Sequence, residues 1–292
     1  MGSQGFRSRC GITKGHTLTA ITKDGTSQSY QTMYPIGLGS NGEVWKACRI
    51  DADNDFIVVK FFAPVVKNTR FLSTAPLETD PERIERLRIR FMKESEAVKD
   101  APPNTVGNFR GLSLLSETPY FCMEYRKGMT LFDVIRKHYL NEKNKLFYFN
   151  EICKIVTRLH DVMVHLDLKP LNILFLNHAK VSLLDLGSSK RIEELPLFKS
   201  GKQHIGYTWS YAAPEVRSLQ RISKAADVFS LGCILFEILS GTRLDLSDIS
   251  SSGIAPPMIE VIQTATHPDI RRRFQEVRDL RKAFLHAVKD NK

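Results

Sequence analysis

The run His165-Leu166-Asp167-Leu168-Lys169-Pro170-Leu171-Asn172-Ile173-Leu174, followed downstream by Asp185-Leu186-Gly187, decides the reading of this 292-residue chain. It sets two acids, an amide and a lysine in loops beside short apolar runs. Asn172 and Asp185 are hard oxygen donors of the kind that suits Mg²⁺. Asp167 is placed to accept a hydroxyl proton, and Lys169 to neutralise a phosphoryl group in transfer.

Upstream, two β-type runs between Tyr34 and Phe62 flank Gly37-Leu38-Gly39-Ser40-Asn41-Gly42, with Val44 just beyond. Glycines let a turn bring its backbone N–H groups close to phosphate. Because the turn joins strand to strand, it is not the strand-to-helix crossover of dinucleotide-binding folds. The next strand follows the turn-rich Asp51–Asp55 and ends on Val58-Val59-Lys60. A lysine closing an apolar strand either reaches solvent or needs an anion. ATP phosphates and Glu94, on the following segment, are the candidates. Asp80-Pro81 reads as an N-cap followed by a first-turn proline, opening a helix that runs to about Lys99. Ile84, Leu87, Phe91 and Val98 mark its apolar face, and Arg83, Arg86, Arg88, Arg90 and Lys93 its basic face. Pro102-Pro103 ends it. Strand-like sequence resumes from Gly111 to Tyr125.

Downstream of Gly128, Leu131–Tyr139 and Phe147–Asp161 have helical spacing, Val164–Leu186 reads as short strands and loops, and the chain is helical again from Lys224. A β-rich first part and a helical second part predict an α+β fold. Hydrophobic residues at 42% and charged residues at 25% are ordinary globular values. The net charge of +10 favours acidic partners, or is simply a solubilising surface. No aromatic-interleaved basic patch supports nucleic acid as a partner. Five dispersed cysteines without a CxxC pair fit reduced thiols and a cytoplasmic location, with Cys122 and Cys233 expected in the core. Residues 1–30 are polar, so no signal peptide is expected, and Phe6 stands where a myristoylation motif wants Ser or Thr. Val228–Leu239 is too short to span a bilayer.

Taken together, these motifs resemble those of the protein kinase superfamily, over about residues 30–285. Ala213-Pro214-Glu215 matches the close of the activation segment, Asp227–Gly232 the start of the central helix, and Arg271 the arginine that pairs with that glutamate. Met123-Glu124-Tyr125-Arg126 looks like the gatekeeper and hinge. The resemblance implies a two-lobed fold, with an N-terminal extension over 1–27, a β-rich N-lobe and hinge over 28–126, and a mainly helical C-lobe over 127–292. It also implies roles. Gly37, Gly39 and Gly42 cover the phosphates of ATP. Lys60, held by Glu94, contacts the α- and β-phosphates, while Asp167 orients the substrate hydroxyl and Lys169 meets the γ-phosphate. Asn172 and Asp185 hold Mg²⁺ or Mn²⁺. Leu38, Val44, Val58, Met123, Glu124, Arg126 and Leu174 line the nucleotide pocket. Lys169 and Thr208 match the serine/threonine type, so the expected partners are protein substrates with Ser or Thr hydroxyls. The sequence leaves the oligomeric state open.

Departures from the family pattern are also visible. Leu166 stands where an arginine usually pairs with a phosphorylated activation segment, which implies activity without that phosphate. Ser188, Ser189, Ser200 and Tyr207 are candidate phosphosites. Leu186 replaces a phenylalanine with another apolar side chain. An insert over about 64–79 lengthens the interval to Glu94 and leaves Glu96 as a rival partner for Lys60. The stretch over 241–257 has little helical character. A nucleotide-binding scaffold without transfer and a small-molecule phosphotransferase of the same fold are the alternatives. The filled catalytic positions speak against the first, and the catalytic loop with its Ala-Pro-Glu closure against the second.

Overall fold

Period-two alternation of apolar side chains builds the first half of the chain. The structure, a computed structural model, describes residues 8–39, 41–66, 75–176, 180–195, 206–244, 249 and 252–290. The strands are β1 (Thr17–Ile21), β2 (Ser27–Leu38), β3 (Gly42–Arg49) and β4 (Phe56–Phe62), then β5 (Phe109–Leu115) and β6 (Thr118–Glu124) after helix α1 (Pro81–Asp100). They close into an antiparallel barrel in the order β1-β2-β3-β4-β6-β5. Leu18, Ala20, Tyr30, Trp45, Ala47, Ile57, Val59, Phe61, Tyr120 and Cys122 pack in one buried core cluster. Side chains in between, including Val44, Val58 and Lys60, are on the other face and less buried.

Residues 1–27, which the sequence leaves open as either an added strand or a flexible extension, contribute a strand, β1, which pairs β2 from Thr17↔Gln31 to Ile21↔Ser27 and meets β5 at Ile21↔Leu112. Gly111 makes that meeting possible: it has φ +152°, and a Cβ there would lie 2.8 Å from the Ile21 carbonyl oxygen. Helix α1 begins as the sequence predicts, with Asp80 Oδ1 accepting from Glu82 N at 3.0 Å. It buries Phe91, Glu94, Ser95 and Val98, and the Phe91 ring packs between Phe62 and Phe121, with centroids at 5.5 and 5.2 Å. In the insert, Val65 and Leu77 form an isolated bridge, while 67–74 lie outside the described residues.

The remainder forms a second, mainly helical unit. Chain contacts group Met1–Lys99 with Gly107–Arg126, and Asp100–Val106 with Lys127–Lys292. The second unit holds β7 (Gly128–Thr130), α2 (Leu131–Arg136), α3 (Glu142–Leu159), β8 (Met163–Val164), β9 (Ile173–Leu176), β10 (Val181–Leu183) and β11 (Lys190–Arg191), then α4 (Pro214–Ser218), α5 (Ala225–Ser240), α6 (Pro256–Ala265) and α7 (Val277–Asp290). Helix α5 is buried from Ala225 to Ile238, so it is the axis of this unit and not an amphipathic surface helix. Phe149 of α3 meets Phe284 of α7 edge-on at 4.8 Å. Cys122 and Cys233 are buried, as the sequence implies. No helix among the described residues is long and apolar enough to cross a membrane.

Candidate active site

In the first unit, strand register arranges the predicted phosphate and adenine residues. Gly37 pairs Val44, Val44 pairs Lys60, and Val58 pairs Met123, so these positions share the outer face of the barrel wall. Leu38 ends β2 opposite Glu43. Gly39 N donates to Gly42 O at 2.8 Å, closing the turn. Gly42 has a second, steric reason to be glycine: a Cβ there would stand 2.1 Å from the Phe61 carbonyl oxygen. Ser40 lies outside the described residues. Lys60 Nζ donates to Glu94 Oε1 at 2.6 Å, with the lysine side chain 18% and the glutamate 7% exposed. Glu96 is exposed. After β6, Tyr125 N donates to Phe56 O at 3.0 Å, and Arg126 Nη2 lies 3.2 Å from Glu124 Oε2.

In the second unit, the Asp167 carboxylate is held from several directions. Lys169 Nζ donates to its Oδ2 at 2.7 Å and to Thr208 Oγ1 at 2.8 Å, while Thr208 N donates to its Oδ1 at 2.9 Å. Asn172 Nδ2 donates to Asp167 O at 2.9 Å, which leaves the Asn172 amide oxygen available as a donor atom to a cation. Leu184 N donates to Asn172 O at 2.9 Å, tying the two metal candidates into adjacent chain. Asp185, at φ +58°, accepts from Gly187 N at 3.1 Å. Leu174 is buried in β9. Among the described residues no three His, Cys, Asp or Glu gather into a metal cage. An amide oxygen with one carboxylate fits Mg²⁺, which dehydrates reluctantly and is bound by one or two carboxylates together with substrate phosphates.

This loop is anchored from below by Asp227 of α5, which is fully buried. Its carboxylate accepts from His165 N at 2.7 Å and Leu166 N at 2.8 Å, and lies 2.9 Å from His160 Nε2. Burial opposes its charge, but hydrogen bonding to His160 and the field of both histidines hold its pKa below the ordinary value. These bonds sustain Leu166 at φ +65°, a strained conformation for a branched residue. The Leu166 side chain is buried, as is that of Leu186. Of the candidate phosphosites, Ser188 is buried and donates to Gly206 O at 2.5 Å. Ser189 Oγ donates to Leu186 O at 2.7 Å. Ser200 lies outside the described residues.

One expectation is corrected. Arg271 does not pair with Glu215: it is 81% exposed and bonded to Asp269. Arg273 is the partner, with Nη1 and Nη2 donating to Glu215 Oε1 and Oε2 at 2.8 and 2.9 Å from a fully buried side chain. The reason is local. Asp269 caps the tight turn Ile270–Arg272 and holds Arg271 outward, and the chain re-extends at Arg273. Sequence reasoning also missed the anchoring by His160 and Asp227, and the carboxylate of Glu43, which is 0% exposed beside the glycine turn. The signal for Glu43 was an acid on the inward phase of a strand.

Residues 30–290 match the family described as "Protein kinase domain". The chain is 27% identical, over 277 residues, to the serine/threonine-protein kinase drp72 of Corynebacterium efficiens, covering 87% of this chain and 50% of that protein. It is 36% identical over 124 residues to the cAMP-dependent protein kinase catalytic subunit of Schizosaccharomyces pombe, covering 42% of this chain and 23% of that protein. It spans about half or less of the length of these relatives. Its fold is similar to that of the M. tuberculosis PknI kinase domain, with a TM-score of 0.65 at 15% identity, over 95% of this chain and 99% of that one. With family match, fold and catalytic loop in agreement, this chain belongs to the protein kinase family.

Proposed function

We propose that the chain is an ATP-dependent serine/threonine protein kinase that does not require a phosphorylated activation segment. The observation that carries the reading is the Asp167 carboxylate, oriented by Lys169 and Thr208, with Asn172 holding the main-chain carbonyl of the same residue. Asp167 accepts the hydroxyl proton of the substrate residue, and Lys169 neutralises charge on the transferring phosphoryl group. Lys60, fixed by Glu94, binds the α- and β-phosphates under Gly37, Gly39 and Gly42. Leu38, Val44, Val58, Met123, Glu124, Arg126 and Leu174 hold the nucleotide's adenosine end. Asn172 and Asp185 hold Mg²⁺ or Mn²⁺, which when bound neutralises the phosphates. Serine and threonine as acceptors are supported by the Lys169–Thr208 contact at 2.8 Å and by the serine/threonine kinases among its relatives.

Independence from phosphorylation is supported by Leu166. Its buried apolar side chain offers no charge to a phosphate. The test is transfer from radiolabelled ATP to a peptide panel, with phosphatase-treated wild type beside Asp167→Asn. Treated wild type keeps its rate, and Asp167→Asn loses at least about a hundredfold. Equal labelling by both proteins sinks the kinase reading. A large loss on phosphatase treatment sinks the independence.

A further inference from the structure

The glycine turn is tied down by a segment that the proposed mechanism does not use. Arg9 Nη1 donates to the carbonyl of Gly39 at 2.8 Å and to that of Ala63 at 3.2 Å. The first carbonyl belongs to the turn itself. The second lies just past β4, the strand that carries Lys60. The Glu43 carboxylate, one residue after Gly42, accepts from Ser8 Oγ at 2.6 Å, Arg9 N at 2.8 Å and Trp45 Nε1 at 3.2 Å.

The strap is a built structure. Ser8 Oγ also accepts from Ile12 N at 2.8 Å, and Ile12 is sunk in the barrel core. Thr32 of β2, itself buried, donates through Oγ1 to Thr13 O at 2.6 Å, and its carbonyl accepts from Gly15 N at 2.8 Å. Residues 8–16 are therefore stitched to the barrel at both ends, and Arg9 emerges from them beside the turn.

We propose that Arg9 is a positioning residue for the nucleotide, pinning the glycine turn to the strand of Lys60 and so setting how tightly MgATP is held. A glycine-rich turn has many conformations to lose, and ordering them on binding weakens affinity. A guanidinium that spans two carbonyls removes that freedom beforehand, which is preorganisation. Glu43 and Ser8 fix the backbone from which the guanidinium reaches. The inference rests on the kinase reading of the site, but the binding measurement below does not depend on phosphate transfer.

The experiment measures the dissociation constant for MgATP by titration calorimetry, KM and kcat in the transfer assay, and the urea midpoint. It compares wild type, Arg9→Met, Arg9→Lys and Ser8→Ala. Arg9→Met raises both the dissociation constant and KM for MgATP about tenfold, kcat stays within about twofold, and the urea midpoint holds. Arg9→Lys recovers part of the affinity, and Ser8→Ala raises the dissociation constant severalfold. Unchanged MgATP affinity in Arg9→Met overturns the proposal, as does a fall confined to kcat. If Arg9→Met does not fold, Ser8→Ala decides by the same readout. Wild type that binds MgATP without transferring phosphate sinks the kinase reading alone, and wild type that binds no MgATP overturns both.

Discussion

At Lys60 the two-residue period of β4 turns a long cationic side chain out of the barrel interior, and Glu94 meets it at 2.6 Å. Both partners are largely buried, so the pair's geometry is well fixed and removing one charge leaves the other poorly compensated. Glu94→Gln is expected to cut the transfer rate at least about tenfold, while Glu96→Gln, on the exposed side of the helix, stays within about twofold. Steady-state kinetics on the two variants check this, and equal losses would dissolve the distinction. The lysine was legible in sequence because Lys is seldom set unpaired in an apolar strand, although β4 does not end at Lys60 as the sequence suggests but runs on to Phe62. The phase of α1 also pointed to its partner: Glu94 lies three residues after Phe91 and four before Val98, on the buried stripe, whereas Glu96 is off it. Arg9 carried no such signal, because its bonds to Gly39 and Ala63 join segments that the sequence does not relate.

Elements decide which of several similar side chains is used. In the run Arg271-Arg272-Arg273, pattern alone cannot tell which arginine faces inward. The turn capped by Asp269 settles it in favour of Arg273, which also donates to Ala225 O at 2.9 Å and lies over the Phe229 ring at 5.2 Å. Arg273→Met is expected to lower stability by about 3–5 kcal/mol, because it leaves the Glu215 carboxylate buried without its cation. Arg271→Ala, with its exposed pair, should leave the urea midpoint essentially unchanged. Urea unfolding separates the two, and comparable losses would return the role to Arg271. The helix starting at Pro81 was legible because its cap and proline are local signals. Helix α3 begins at Glu142, ahead of the apolar run, because Asn141 caps it by accepting from Asn144 N at 2.9 Å.

For the molecule as a whole, α5 couples the geometry of the candidate catalytic loop to global stability through Asp227. Its pKa in the folded protein is below the ordinary value. The stabilisation is therefore present above the unfolded-state pKa, about 3.9, and is lost as pH falls through the lower folded value. Asp227→Asn should be less stable than wild type at about pH 6, and the gap in urea midpoint should narrow towards about pH 3. A gap that stays constant across that range would remove Asp227 from the acid response. The α+β division and the catalytic loop were legible because each rests on short-range pattern. Closure of the barrel was not, since it depends on Gly111 accepting a strand that lies far away in sequence.

That closure has a consequence for the company the protein keeps. With β1 removed, β2 and β5 would become the outermost strands, each presenting a row of unpaired N–H and C=O groups that another chain's strand could extend. By pairing Ser27–Gln31 of β2 and meeting β5 at Leu112, Thr17–Ile21 withdraws part of that template. The same short segment that follows the Arg9 strap thus keeps the barrel from recruiting strands of its neighbours.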